Sequence, residues 1–348
     1  MNSRSRVLDS IAHKNTDRLP AAYGAERKVT DALKKHLGIT EDEELMQFLG
    51  IDFRGIPCNY YIPGTGPDAE GYIRSMWGER KREHDLGDGK PCFIAPFTEE
   101  STLADVDAHD WPDPSVLDYS QVRATCKKWY GSYATYGAPW SPFFHEVGWM
   151  IGQENFYTWM GSKPEVAEAI ITKVVDFEVE ATRRFLEACD GMLDIAYFGN
   201  DFGTQRGLFI SPAMWQRFIR PSLKRFYDVA HEFGCQVMQH SCGSIRQLIP
   251  WFIEDGVDIL DPVQTACDGM GLPSLVQDFG GRISFHGGMD TQVLLPNASS
   301  QEVRSTVRQY RDLMLKRGGY TLCGSQAYMT DIPLENILAI YDENKKAS

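Results

Sequence analysis

No stretch of about 18 apolar residues occurs in the 348-residue chain, so no segment is expected to cross a membrane. Long basic runs are absent as well. The formal net charge is −13, a surface that repels phosphates, so nucleic acid is not an expected partner. The opening Met1-Asn2-Ser3-Arg4-Ser5-Arg6 leads into a short mixed segment (7–13) that lacks the apolar stretch and cleavage site of a signal peptide, so the cytoplasm is the expected compartment. There is no internal repeat, no low-complexity tract and no Gly-x-Gly-x-x-Gly turn after an early strand. The last absence removes support for an open dinucleotide-binding sheet. Cysteine is sparse, with eight residues. In a reducing compartment these are read as small buried apolar groups or, close to histidine, as metal ligands, not as disulfides.

Hydrophobic residues make up 43% of the chain and charged residues 24%, enough for a sizeable core. The length suits one α/β-barrel domain over 1–348 with insertions. Residues 1–50 read as a helical opening, with apolar residues at helical spacing over 4–13 and 26–37 and Thr16-Asp17-Arg18-Leu19-Pro20 as the break. Residues 51–140 are irregular and rich in Gly, Pro and aromatics, and are expected to be insertions and hairpins over one end of the barrel. Their aromatic groups, together with Phe143, Phe144 and Trp149, would line a pocket or form core under the insertion. Tyr61, Trp140 and Phe144 are the aromatic substrate candidates.

From 190 to 348 the pattern becomes regular. Strands are expected over 194–198, 235–239, 257–260, 282–285 and 320–322, and helices over 212–233, 245–254, 272–279, 301–315 and 334–342. Five strand–helix units in a row imply a parallel sheet with right-handed crossovers, expected as an α/β fold of the (β/α)8 TIM-barrel type with an open doubly wound sheet as the alternative. Each strand is followed by polar or metal-capable groups. They are Gly199-Asn200-Asp201, His240-Ser241-Cys242-Gly243, Asp261-Pro262-Val263-Gln264, His286-Gly287-Gly288-Met289-Asp290 and Cys323-Gly324-Ser325-Gln326. In a barrel these ends converge on one pocket.

His240 and Cys242 are two apart in extended chain and point the same way, and Cys323 ends a strand three units later. One nitrogen and two sulfurs suit Zn²⁺, and three protein ligands leave a position open, as in catalytic zinc sites. Asp201, Asp261, Asp290 and Glu146 are candidates for supporting a ligand, for a fourth ligand or for acid–base work, with a turn or helix cap the favoured reading of Asp261. His286 and Gln326 join the substrate candidates.

These stretches, with Ile210-Ser211-Pro212, Asp258-Ile259-Leu260, Pro333-Leu334-Glu335-Asn336-Ile337 and the opening Arg4-Ser5-Arg6-Val7-Leu8, resemble the uroporphyrinogen decarboxylase superfamily. The resemblance implies a TIM barrel. The true decarboxylases carry an Arg-Gln-Ala-Gly-Arg motif near the N-terminus that grips substrate carboxylates, whereas Arg18-Leu19-Pro20 here leads into Ala21-Ala22-Tyr23-Gly24-Ala25-Glu26. The resemblance therefore points to the cobalamin-dependent methyltransferase branch, which holds zinc on a His-x-Cys and a distant Cys. In its thiol-methylating members the last Cys falls nearest Gln326 of this sequence. What the resemblance implies is Zn²⁺, a corrinoid carried by a partner protein, and a small methyl donor or acceptor, with room for a homodimer. An aromatic methyl ether is the expected donor, with a thiol methyltransferase or a metal-free decarboxylase as alternatives.

Overall fold

The structure, a computed structural model, describes residues 1–60, 67–82, 84, 87 and 89–346. Its centre is a curled sheet of seven parallel strands, β1 (Phe53–Gly55), β2 (Ala134–Trp140), β3 (Ile195–Gly199), β4 (Gln236–His240), β5 (Ile259–Val263), β6 (Ser284–Gly287) and β7 (Tyr320–Thr321), each paired with its neighbours in chain order. Strands buried on both faces need continuous apolar chain, and Ile195, Ala196, Phe198, Val237 and Leu260 have almost no exposed surface. All five strands expected after residue 190 are present.

The helices lie outside the sheet. Ser211 caps Pro212–Phe218, and Ser299 with Glu302 forms a capping box at Ser300–Met314. The single helix expected over 212–233 is broken at Ile219 into Pro212–Phe218 and Arg220–Glu232, because Pro221 has no N–H to continue the ladder. Helices additional to the sequence reading include Asp42–Leu49, Phe143–Ile151 and the 26-residue Pro164–Cys189.

Residues 51–140, read as an insertion region, give both ends to the central sheet as β1 and β2. Gly137 and Pro139 hide β2 in the sequence. Gly137 is required there, since a Cβ would lie 2.4 Å from Ile56 O. Between these ends lies a three-stranded antiparallel ribbon of Ile73–Arg74, Arg80–Lys81 and Phe93–Ile94.

The N-terminal segment ties the two edges of the sheet together. Leu322 N donates to Pro20 O (2.8 Å) and Ala22 N to Leu322 O (3.0 Å). On the other side, Asp52 N donates to Ala21 O (2.9 Å). The buried Asp52 carboxylate takes Arg6 Nη1 (2.6 Å), both Arg18 Nη atoms (2.8 and 2.9 Å) and Ala21 N (2.9 Å). This accounts for the Asp17-Arg18-Leu19-Pro20 run: Arg18 clamps the segment that follows it. Helix Ser3–Ile11 lies at the amino-terminal ends of the strands, with Arg4 N on Ser132 O (3.1 Å) and Ser10 Oγ on Tyr320 O (3.0 Å).

The core has two layers. The larger fills the space between sheet and helices. The smaller lies inside the curl, where Val7, Ala22, Phe53, Ala134, Ile195, Met238, Ile259 and Cys323 pack together. Among the described residues no helix is long and apolar enough to cross a membrane.

Candidate metal centre

The registers Gly199↔His240 and His240↔Asp261 put the carboxyl ends of β3, β4 and β5 side by side. Asp201, two residues past β3, therefore meets His240 and Cys242. His240 Nε2 is 3.3 Å from Cys242 Sγ and 3.3 Å from Asp201 Oδ1, and donor atoms from all three residues lie within 4.8 Å of one another. Ligands bound at about 2.0–2.3 Å around a tetrahedral ion stand about 3.3–3.7 Å apart, so this set fits one Zn²⁺. It unites a borderline nitrogen, a soft sulfur and a hard oxygen.

The donors are held from behind. Asp201 N donates to His145 Nε2 (3.0 Å), and Cys242 N donates to Asp201 Oδ1 (2.9 Å). His240 Nδ1 donates to Asp261 Oδ2 (2.8 Å), which leaves Nε2 free for an ion. The same carboxylate takes His286 Nδ1 (2.5 Å) and the hydroxyl of Tyr197 (2.5 Å). A carboxylate behind a ligating histidine fixes its tautomer and raises its basicity. Asp261 is thus a supporting carboxylate, not the turn or cap expected from sequence. Gln264 Oε1 accepts Gly243 N (2.5 Å) and pins the loop after Cys242.

Electrostatics follow this arrangement. Burial would raise the Asp261 carboxyl, but His286 and His240 outweigh it and hold Asp261 far below the usual carboxylate range. Burial opposes charge on His240, yet Asp201, Asp261 and Cys242 together push it well above an ordinary imidazole. Burial also raises the Cys242 thiol, with His240 pulling it back. An ion entering this site must therefore displace protons.

Two cavities meet at His240. The inner one, about 240 Å³, lies within the curl and is lined by Tyr23, Phe53, Tyr136, Tyr197, Asp261, His286 and Gln326 among others. The outer one, about 470 Å³, is lined by Trp140, His145, Glu146, Trp149, Asn200 and Asp201. Trp140 stands at the join, its ring 5.2 Å from that of His240 and 4.8 Å from that of Tyr197. It is held there by left-handed backbone (φ 68°, with Ser141 at 49°) and by Gly199, where a Cβ would fall 2.0 Å from the indole.

The remaining candidates divide. Gln326 reaches the centre, with Nε2 donating to Cys242 Sγ at 2.7 Å. His286 lines the inner cavity and Glu146 the outer one. Cys323, expected as a ligand, is not brought to the other three donors. Its residue belongs to the apolar layer inside the curl, and burial, then Asp261, pushes its thiol up to about 12. Asp290 is engaged locally, accepting N–H groups of Gln292, Val293 and Leu294, so it caps a turn. Phe144 is fully buried against Phe156 and Phe202 and lines neither of these two cavities. Tyr61 lies outside the described residues. Sequence reasoning missed Tyr197, His145 and Gln264, and favoured capping over a supporting role for Asp261. The signal for Asp261 was its place, like that of His240, at the expected end of a strand.

A curled parallel sheet whose carboxyl ends carry a mixed nitrogen, sulfur and oxygen donor set defines an α/β protein with a candidate metal centre. The chain belongs to the uroporphyrinogen decarboxylase (URO-D) family, whose model matches residues 85–347. A methylated-thiol–coenzyme M methyltransferase of Methanosarcina mazei is 28% identical over 200 residues, which cover 56% of this chain and 49% of that protein. The alignment thus spans about half of that relative. A solved methyltransferase from Methanosarcina mazei superposes with a TM-score of 0.61 at 13% identity, covering 99% of this chain and 98% of the other, and so shares its fold.

Proposed function

We propose that this chain is a zinc-dependent methyltransferase that moves a methyl group from a small methylated substrate to the cobalt of a corrinoid carried by a partner protein. The observation that carries this reading is the Asp201, His240 and Cys242 donor set at the strand ends, open to two cavities. The fold we infer is a closed (β/α)8 barrel in which 20–22 serves as the eighth strand. Its support is the pair of hydrogen-bonded seams to Leu322 and Asp52.

Asp201, His240 and Cys242 would hold the ion, with Gln326 able to offer its amide oxygen when the amide is turned over. Bound zinc supplies a Lewis acid that polarises the methyl-bearing heteroatom. One sulfur among the donors, with a carboxylate in place of a second, is a harder set than two thiolates and suits an oxygen substrate. The aromatic side chains of the outer cavity, Trp140, Trp149 and His145, suit an aryl methyl ether. A second reading is favoured by the 28% relative, whose name is that of a methylated-thiol methyltransferase. In that case the site would hold a thiolate.

The test is incubation of zinc-loaded protein with a reduced corrinoid protein and a methoxyarene. Free phenol, with a matching change in the corrinoid spectrum, is expected. No phenol, while a thiol is methylated from methylcobalamin, overturns the ether assignment in favour of the second reading.

A further inference from the structure

The outer cavity carries a second group of carboxyls that the metal centre does not use. Glu146, on helix Phe143–Ile151, lines this cavity together with Asp201 and His240. Behind it Glu178, on helix Pro164–Cys189, is 4% exposed. It takes the backbone N–H of Phe143, and its Oε2 meets no hydrogen-bond partner among the described residues. The antiparallel ribbon brings in Glu79, only 1% exposed, whose Oε2 also has no such partner and whose Oε1 is 3.5 Å from Lys81 Nζ. Lys81 in turn sits 4.1 Å over the ring of Trp149, on the same helix as Glu146. Buried and short of donors, Glu178 is costly to ionise, whereas Glu79 has the Lys81 ammonium beside it.

We propose that Glu146 is the proton donor of the outer cavity and that Glu79 and Lys81, on the ribbon, are positioning residues that set its protonation. This rests on the ether reading above. The step breaks the methyl–oxygen bond, the electron pair stays on oxygen, and oxygen takes the Glu146 proton. The methyl passes to the reduced cobalt of the corrinoid substrate, which supplies the electron pair of the new bond. An aryl oxide is a poor leaving group unless it is protonated or held by a Lewis acid, so a second acid beside the ion has a defined task.

The charges around Glu146 agree with that task. Burial, and then Glu79, push its carboxyl up to about 7, against opposing contributions from Lys81 and Trp77. Burial, and then Glu146 itself, hold Glu178 well above the ordinary range. Glu178 thus stands behind Glu146 as a second carboxyl that resists ionisation. Because the protonated form is the active one, turnover should fall as pH rises through about 7.

Carbon-13 NMR of glutamate-labelled, substrate-free protein tests the assignment without turnover. A carboxyl signal should titrate near neutral pH and disappear in Glu146→Gln. Its midpoint should move down by roughly one pH unit in Glu79→Gln and up in Lys81→Met. Opposite signs are the signature that a merely structural role does not produce. With substrate, Glu146→Gln should slow phenol release from methoxybenzene by about 10²–10⁴-fold, but from nitro-substituted methoxybenzene by less than about tenfold. Equal losses from the two ethers, or no carboxyl titrating near neutrality, overturn the proposal. If the wild-type protein cleaves no ether, the functional reading fails and this inference falls with it, whereas equal losses overturn the inference alone. Should Glu146→Gln not fold, the midpoint shift of Lys81→Met, at a side chain 44% exposed, still decides.

Discussion

The chain from Ile195 onward and the chain before residue 152 build the same site by different means. In the later part, the donors sit where parallel strands end, so their position follows from the sheet register. In the earlier part, Trp140 depends on left-handed backbone and a facing glycine, and Glu79 arrives on a ribbon. The difference is one between groups placed by repetition and groups placed by single local events. The first kind makes up the candidate metal centre. The second kind shapes the outer cavity.

The sharpest way to break this division is to remove a strand-end donor. His240→Ala or Cys242→Ser should take zinc from about one ion per chain to near none, with an affinity loss exceeding about 100-fold and loss of methyl transfer, read by elemental analysis and phenol release. Retention of zinc in both variants would mean that the ion is held elsewhere.

The next effect concerns the earlier part. Asp52→Ala leaves Arg6 and Arg18 facing each other without their carboxylate, and should cost about 3–5 kcal/mol in urea unfolding. A cost below about 1 kcal/mol would show that the seam beside β1 does not hold the sheet together.

Asp261→Asn should lower zinc affinity by about 10–100-fold while the fold persists. Zinc affinity of the wild-type protein should itself fall as pH falls. His240, raised well above an ordinary imidazole in the metal-free protein, must lose its proton before it can bind, so acid competes directly with the ion. A titration by competition with a chelator at several pH values measures both. Affinity independent of pH would remove His240 from the donor set.

The smallest effect belongs to Cys323→Ala. Zinc content and affinity should stay within about twofold, since its thiol lies in the inner apolar layer. A large loss would restore it as a ligand and displace Asp201.

How far the sequence revealed the site follows the same division. His240, Cys242 and Asp201 were legible because alternating strands and helices announce where strands end. Asp261 stood in the same kind of place, but capping was favoured over a supporting role, because strand-to-helix loops favour Asp as a cap. Its partners Tyr197 and His286 are 64 and 25 residues away, and only pairing of β3, β5 and β6 brings them to it. Cys323 was misplaced because direction, not position, decides a ligand: β7 covers only Tyr320–Thr321, and the thiol two residues on turns inward while Gln326 reaches Cys242. For Glu79 and Lys81 no periodic signal exists. Their ribbon has two-residue strands, and a left-handed Gly78 (φ 98°) sets the turn before Glu79.

The pairing of Pro20 and Ala22 with Leu322 also has a consequence for how the chain is made. These partners lie 300 residues apart in sequence, so during synthesis the early segment leaves the ribosome long before its edge exists. Until Leu322 emerges, β1 can pair with β2, but the 20–22 segment has only its seam to Asp52. The last seam can close only after nearly the whole chain has been translated, and contacts of such long range form slowly. The arginine clamp on Asp52 then acts as a placeholder, keeping the first edge in shape until the final strand arrives.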